Sequence, residues 1–570
     1  MPRSLFAPVF MLLAALRAAA PAAELPGAYY RILNESLPQI RQHFAAHSAG
    51  GLKTLEAAAP WRHFPHALLV AAVLHARPHA ANIAYGRPEL LEIALAIGDL
   101  CATEMEQGSF TARLDHHRDS YMWLEAYRLL EPKLGAARRA RWRKALLTEF
   151  NDLAAMIAER QNYPRYASPF LGTSPNHFAL WSSTLYLASK VFHNPDWEKL
   201  SAKVLHRFAA EEQTPDGFWG EHTTNGPTTG YDYVTVASVA LYWEHSGDPA
   251  ALAALRRNAD FHQYFTYPDG IPVETVNDRN RYWEVTPWGQ FGFTHFPAGR
   301  RYAAFLTSFH RPGQVAIEAL GRMAQNALYY HAGPLAPIPQ DRPNYAHQMR
   351  VPAGIRKTGP WVICLSGIVA PPTENQFYLE RQSAISVFHQ RTGLIVTGAN
   401  SKRQPELATI SDRINGQATH MPVSTRLTMS DAGDSLALAF NGFFSVLHVA
   451  PPSSGALTLR FDFLINWRKP DGALTLQLCL KPGELLETGA GRSFTVGTGK
   501  LELGPEAIGG WIRHNGWTLK TAAAARLTWP VMPYNPYLNG PETDIARAVA
   551  ALATPLPAQK AALSFTIEVD

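Results

Sequence analysis

Phe178-Ala-Leu-Trp-Ser-Ser-Thr-Leu-Tyr-Leu-Ala188 places its apolar residues at helical spacing, and Val234-Thr-Val-Ala-Ser-Val-Ala-Leu-Tyr-Trp243 does so again. The turns around them repeat as well. After the first helix come Asn194-Pro195, a second helix and Thr214-Pro-Asp-Gly217; after the next come Asp248-Pro249, another helix and Tyr267-Pro-Asp-Gly270. The period is about 54 residues. An earlier unit starts at Ser120 with Tyr121-Met-Trp-Leu-Glu-Ala-Tyr, about 57 positions before His177. Helical hairpins repeated in this way cannot bury their apolar faces alone, so they stack into a solenoid or close into an α/α toroid. Loops at equivalent repeat positions then share one rim. Asp115 to Ser120, Ser174 to His177, Gly220 to Tyr231 and Glu274 to Arg281 occupy such positions.

The pattern changes along the chain. Helical periodicity predicts a helical domain over 23–332. A proline-rich stretch over 333–375, with Pro334, Pro337, Pro339, Pro343, Pro352, Pro360, Pro371 and Pro372, reads as a linker lying over it. From Gln376 to the end, runs such as Ser383-Ala-Ile-Ser-Val-Phe-His389, Gly393-Leu-Ile-Val-Thr-Gly398 and Leu474-Thr-Leu-Gln-Leu-Cys-Leu480 predict an antiparallel sandwich over 376–570. A short helix is expected near Ile545 to Leu552. The fold class is thus an α+β multidomain chain, an incomplete (α/α) toroid of helical hairpins followed by an antiparallel β-sandwich.

Residues 1–22 read as a signal peptide: Arg3, an apolar run from Leu5 to Leu16, and small residues from Ala18 to Ala23. The run is too short to span a bilayer, so no membrane span is expected, and the location expected is periplasmic or secreted. The 570 residues exceed one ordinary core, and the net charge of +5 disfavours a nucleic-acid partner. Arg138, Arg139, Arg141, Arg143 and Lys144 form a basic run on a helix, read as a solvated face. Cys101, Cys364 and Cys479 are too few and too scattered for a disulfide framework or a zinc cluster. No cofactor is indicated, although a structural metal in the sandwich stays open.

The chemistry concentrates in Asp216-Gly-Phe-Trp-Gly-Glu-His-Thr-Thr-Asn-Gly-Pro-Thr-Thr-Gly-Tyr-Asp-Tyr233, a polar, glycine-punctuated loop between helices. His222 and Tyr231 can transfer protons, Asn225 can donate a neutral hydrogen bond, and Trp219 offers a flat apolar face for a sugar ring. Such equipment suits a carbohydrate.

Asn176, then Asp-Gly-x-x-x-x-His ending at His222, then Tyr231 nine positions on, then the pair Arg279 and Arg281, in a helical domain followed by a sandwich, resembles the hyaluronate, chondroitin AC and xanthan lyases. The heparinase II/III-like lyases share the layout and are less similar. The resemblance in layout covers nearly the whole chain, with residue identity confined to these islands. It implies β-elimination on an acidic, uronic-acid-containing polysaccharide. Asn176 and His222 would neutralise the sugar carboxylate, and Tyr231 would take the C5 proton and return it to the leaving oxygen. A phenol titrates near 10, so a base of this kind requires an adjacent positive charge, assigned to Arg279 with Arg281 in reserve. The family's sandwich glutamate would correspond to Glu406, in Gly398-Ala-Asn-Ser-Lys-Arg-Gln-Pro-Glu406. One departure is plain: where the family carries a tryptophan pair after the asparagine, this chain has His177-Phe178.

Each residue also has a plainer role. Asn176 can be a helix cap, His222 a satisfied loop histidine, Tyr231 a packing residue, Arg279 and Arg281 partners of Asp278 or Glu284, and Glu406 a hairpin-end charge. Trp123 and Trp181 can line subsites or fill the core. Asp115-His-His-Arg-Asp119 offers His117 and Arg118 to substrate, a metal set, or only helix-entry hydrogen bonds. Two other functions compete: a glycoside hydrolase, for which Glu221, Asp232, Glu274 and Asp278 are the available carboxylates, and a non-catalytic glycan-binding protein.

Overall fold

The computed structural model describes residues 25–42, 44–45, 64–108, 120–161, 175–221, 226–277, 284–369, 376–377, 383–398, 402–453, 455–466 and 470–570. Helices dominate to residue 329: α1 (Leu25–Glu35), α2 (Phe64–Ala76), α3 (Pro88–Glu106), α4 (Ser120–Leu130), α5 (Ala136–Arg160), α6 (Pro175–Phe192), α7 (Pro195–Arg207), α8 (Thr229–Ser246), α9 (Pro249–Tyr264), α10 (Gln290–Phe293), α11 (Pro297–Thr307) and α12 (Ile317–Tyr329). Their burial sorts them into two rings. Helix α2, Phe64-Pro-His-Ala-Leu-Leu-Val-Ala-Ala-Val-Leu-His-Ala76, has no Asp, Glu, Lys or Arg and is buried from Phe64 to His75. Helix α5 is rich in charge and buries only one stripe, including Trp142, Leu146, Phe150, Leu153 and Ile157. The more fully buried helices form the inner ring, and the charge-rich α5 lies outside it. Helices α2, α4, α6, α8, α10 and α12 touch in that order, and α12 packs back on α2.

That meeting requires close approach. A Cβ on Gly321 of α12 would sit 2.4 Å from His66 Nδ1 on α2. Polar links tighten the ring: Tyr29 Oη donates to Gln290 Oε1 at 2.7 Å, and Tyr329 Oη to Glu125 at 3.0 Å. The basic run on α5 pairs with the neighbouring α3, through Arg138 to Asp99 at 3.0 Å and Arg141 to Glu106 at 2.7 Å.

The sequence repeat is a structural repeat. Asn194 accepts from the amides of Asp196 and Trp197 to start α7, and Asp248 from Ala250 to start α9. In each Pro-Asp-Gly turn the glycine amide closes onto the residue three before it, Gly217 to Thr214 at 3.0 Å and Gly270 to Tyr267 at 2.9 Å. Both glycines have positive φ, 91° and 85°.

Strands begin earlier than the sequence predicts. The segment read as a linker contains β1 (Asn344–Gln348), β2 (Ala353–Thr358) and β3 (Trp361–Ser366). Pro343, Pro352 and Pro360 each stand immediately before one of these strands, where no ladder amide is needed. Successive antiparallel pairs join β1 to β2, β2 to β3, β3 to β4 (Ile385–His389) and β4 to β5 (Gly393–Thr397). They belong to a sheet of eleven strands that faces another of nine, counted among the described residues. The expected helix near Ile545 is a short 3-10 turn, Ile545–Arg547, and the residues after it form the strand Val549–Pro555.

The first sheet is covered on both faces. Its inner face packs on the second sheet, and its outer face packs on the helical domain, where Phe218, Phe261, Phe265, Tyr267, Val273 and Val276 meet Tyr345, Ile355, Val362, Phe388 and Leu394. Accordingly β3 and β4 are buried along their whole length, while Gly433–Ala439 in the second sheet alternates. Two carboxylates stitch the junction. Asp216 accepts from the amides of Arg350 and Val351, at 2.7 and 3.1 Å. Glu274 accepts from Gly398 N at 2.8 Å and Thr397 Oγ1 at 3.2 Å.

Burial pushes the Glu274 carboxyl up to about 6 against these hydrogen bonds. An acid raised on folding contributes stability below its unfolded pKa and loses it as pH rises through the folded value. Ionising this group therefore costs about 2 kcal/mol above pH ~6. Glu274→Gln is expected to match the wild type in melting temperature near pH 4.5 and exceed it near pH 8, read by differential scanning calorimetry. Gly321→Ala, by contrast, is expected to destabilise by about 1–3 kcal/mol in urea titrations at either pH.

Candidate active site

Each inner helix returns from an outer one, so the inner helices run in the same sense and begin on one rim. Asn176 lies at the start of α6 and Tyr231 at the start of α8, neighbouring inner helices. The Pro-Asp-Gly turns and Glu274 lie on this same rim, and they hold the sandwich. The candidate cleft is therefore the space where the helical rim meets the sandwich.

Asn176 is the unusual residue of this rim. It is 1% exposed, yet neither its Oδ1 nor its Nδ2 has a hydrogen-bond partner. A buried amide left so costs about 1–3 kcal/mol, and a protein tolerates that where a ligand completes the bonds. The plain helix-cap reading fails here, because a capping side chain would have its oxygen engaged.

Tyr231 is held from below. Its amide and that of Asp232 close onto Thr228 O at 3.0 and 2.9 Å, which sets the first turn of α8. The adjacent Asp232 points into the core. Its Oδ1 accepts from Trp219 N at 2.8 Å, and its Oδ2 from Asn258 Nδ2 at 2.6 Å and His262 Nε2 at 2.9 Å. His262 stacks on Tyr233 with centroids 3.9 Å apart, and Tyr233 Oη meets Tyr302 Oη at 2.7 Å. One buried carboxylate thus joins the polar loop, α8 and α9.

The sandwich supplies the other wall. Tyr231 Oη is hydrogen-bonded to Tyr537 Oη. Tyr537 sits between the short strands Tyr534–Asn535 and Gly540–Pro541 and is 44% exposed. Its amide donates to Asn535 Oδ1 at 2.9 Å, and Gln376 Nε2 donates to Pro536 O at 3.0 Å. Gln404 grips the base of this loop, donating to Met532 O at 3.0 Å and accepting from Tyr534 N at 2.9 Å. Tyr537 went unnoticed in the sequence; its signal, Tyr534-Asn-Pro-Tyr-Leu-Asn-Gly540, is a turn carrying exposed aromatics far from the helical islands.

The remaining expectations divide. Trp219 is not a sugar platform: it is 3% exposed, and its indole donates to Phe208 O at 2.8 Å. That carbonyl belongs to the π-helical turn Phe208–Glu212 ending α7, where register is lost and a side chain supplies the missing donor. Trp123 and Trp181 are core residues, the former edge-on to Trp142. Glu406 is exposed in the 3-10 turn Pro405–Leu407, and Gln404 rather than Glu406 makes that segment's link to the Tyr537 loop. His222, Asn225, Arg279, Arg281, His117 and Arg118 lie outside the described residues. Of the hydrolase carboxylates, Asp232 is spent on the network, Glu274 is sealed under the sandwich and Glu221 is buried; Asp278 lies outside the described residues. Among the described residues no helix is long and apolar enough to cross a membrane.

Among solved structures, the chain is similar to heparinase III, with a TM-score of 0.53 and 12% identity over 89% of this chain and 76% of that one. Chondroitin AC lyase of Streptomyces coelicolor, bound to chondroitin sulphate, gives 0.48 and 13%, over 97% and 80%. A mutant of the heparan sulfate lyase HepC of Pedobacter heparinus gives 0.46 and 11%, over 89% and 76%. At these identities the likeness is one of fold, a helical toroid followed by a β-sandwich, and it rests on the first. No family model matches the chain, and no curated protein matches it in sequence.

Asp232→Asn keeps the shape of the side chain but turns one acceptor into a donor facing other donors. It is expected to lower stability by about 2–3 kcal/mol, read as a shifted urea midpoint at unchanged slope.

Proposed function

We propose that this protein is a polysaccharide lyase that cleaves a uronic-acid-containing glycan by β-elimination. The observation that carries the reading is the Asn176 amide, buried and unpartnered on the same rim as a tyrosine whose hydroxyl faces the cleft. A toroid-and-sandwich fold similar to heparinase III supports it.

The chemistry follows from the substrate. The C5 proton of a uronate becomes removable only when the neighbouring carboxylate is neutralised and the developing enolate is stabilised. Asn176 supplies an amide donor that pays no reorganisation, being already stripped of water; His222 is the proposed second donor. The Tyr231 oxygen, as phenolate, takes the C5 proton, and the electron pair moves into the enolate. As the C4–O bond breaks, a C4–C5 double bond forms, and the phenol returns its proton to the leaving oxygen. Arg279, with Arg281, is the proposed positive charge beside the phenolate and the acidic sugar. Tyr537 hydrogen-bonds the Tyr231 oxygen before substrate arrives and offers its exposed ring to a sugar face. The signal-like N-terminus supports export to the periplasm or beyond, where polymeric glycans are met.

A hydrolase needs two carboxylates across the cleft. The buried engagement of Asp232 and Glu274 removes two of its candidates.

Purified protein is to be incubated with a panel of acidic polysaccharides while ultraviolet absorbance and new reducing ends are followed together. A parallel rise in both is expected; reducing ends without absorbance would indicate hydrolysis instead. On the active glycan, Tyr231→Phe is expected to lower kcat by about 1000-fold or more. Asn176→Ala should lower it by about 100-fold with little change in KM.

A further inference from the structure

At the other end of α8 stands a second cluster, unconnected with the cleft. Glu244 lies near the C-terminus of α8, His295 in the turn between α10 and α11, and His331 just beyond α12. Thirteen helical residues separate Glu244 from Tyr231, about 20 Å along the axis. One ligand atom from each of the three side chains falls within 4.8 Å of the other two. His331 Nε2 is 2.7 Å from Glu244 Oε1, and His295 Nε2 is 3.3 Å from the same oxygen.

The geometry points to a divalent transition-metal site, zinc foremost, held by Glu244, His295 and His331. Two imidazoles and a carboxylate are borderline donors suited to such an ion, and ligand atoms each about 2.1 Å from a tetrahedral zinc lie about 3.4 Å apart. The His295 to Glu244 spacing is already of that size. The His331 to Glu244 spacing must open by about 0.7 Å, which a side chain 43% exposed can do.

Two further observations favour an ion over a simple ion pair. The His295 side chain is only 7% exposed, and its Nε2, aimed at Glu244, makes no hydrogen bond. The three segments are also held in place independently of the cluster. Thr294 Oγ1 accepts from His331 N at 3.0 Å, while Arg300 donates to Thr294 O at 2.7 Å and to Pro334 O at 2.9 Å. The ligands are thus presented before any ion arrives. The exposed His331 leaves an entry path and a coordination position for water. Because the ion would join the end of α8, the entry to α11 and the exit of α12, its role is to clamp the toroid.

The full chain, stripped with a chelator and desalted, is to be mixed with zinc chloride, passed through gel filtration and assayed for metal by mass spectrometry. Wild type is expected to retain about one zinc per chain and to melt at a higher temperature with zinc than without. Glu244→Gln, His295→Ala and His331→Gln should each lose the retained ion and the zinc-dependent rise. If circular dichroism shows that the buried His295→Ala change unfolds the chain, the half-exposed His331→Gln decides. Wild type retaining no zinc, or folded variants retaining as much as wild type, would overturn the assignment.

Discussion

Two domains of unlike architecture meet here across a shared apolar face, and the rest of the site depends on it. Phe218, Phe261, Phe265 and Tyr267 from the helical rim pack against Tyr345, Ile355, Val362 and Phe388 from the first sheet, with Tyr267 and Phe388 stacked at 4.9 Å. Apolar burial has no direction of its own, so it would allow sliding. The direction comes from Asp216 and Glu274, each of which takes backbone amides of the sandwich, and from Gly398, where a Cβ would lie 2.2 Å from Thr275 Oγ1. With the junction fixed, Tyr537 arrives at Tyr231; without it, the two hydroxyls have no reason to meet.

The cost of this arrangement is visible in Glu274. A carboxyl sealed from water and raised to about 6 is a poor contributor to stability at neutral pH. It persists because it answers a backbone donor, Gly398 N, that would otherwise be orphaned in a dry interface. Asp232 follows the same logic one layer deeper: a single carboxylate satisfies a loop amide, an asparagine and a histidine, and thereby ties the loop and α9 to α8. Asn176 is the exception to this economy, since its amide is as buried as either carboxylate and answers nothing among the described residues.

How far the site was legible depended on whether its parts lie close in sequence. The Asp216 to Tyr233 loop, with its glycines, its helix-entry tyrosine and its flanking repeats, could be recognised as a rim from spacing alone. Trp219 could not be placed, because whether an indole faces a sugar or a stray carbonyl depends on a π turn eleven residues earlier. Tyr537 and Gln404 were invisible for a different reason. They come from the sandwich, more than three hundred and one hundred and seventy positions from Tyr231 respectively, and no local pattern marks residues whose partners lie in another domain. Glu244, His295 and His331 likewise sit in three separate turns of the ring.

Taken by itself, the sequence determined that a helical domain precedes a sandwich and that the helices repeat as hairpins, since both follow from local periodicity, proline and glycine. Only the tertiary structure decided that the proline-rich segment is three strands, since those strands exist through pairing with each other and through packing on a helical rim. Only it decided which polar side chains are spent on the scaffold and which remain for a ligand. The distinction is physical: hydrogen-bond satisfaction in a dry interior is a property of everything that surrounds a group, and a chain read in order contains only its neighbours.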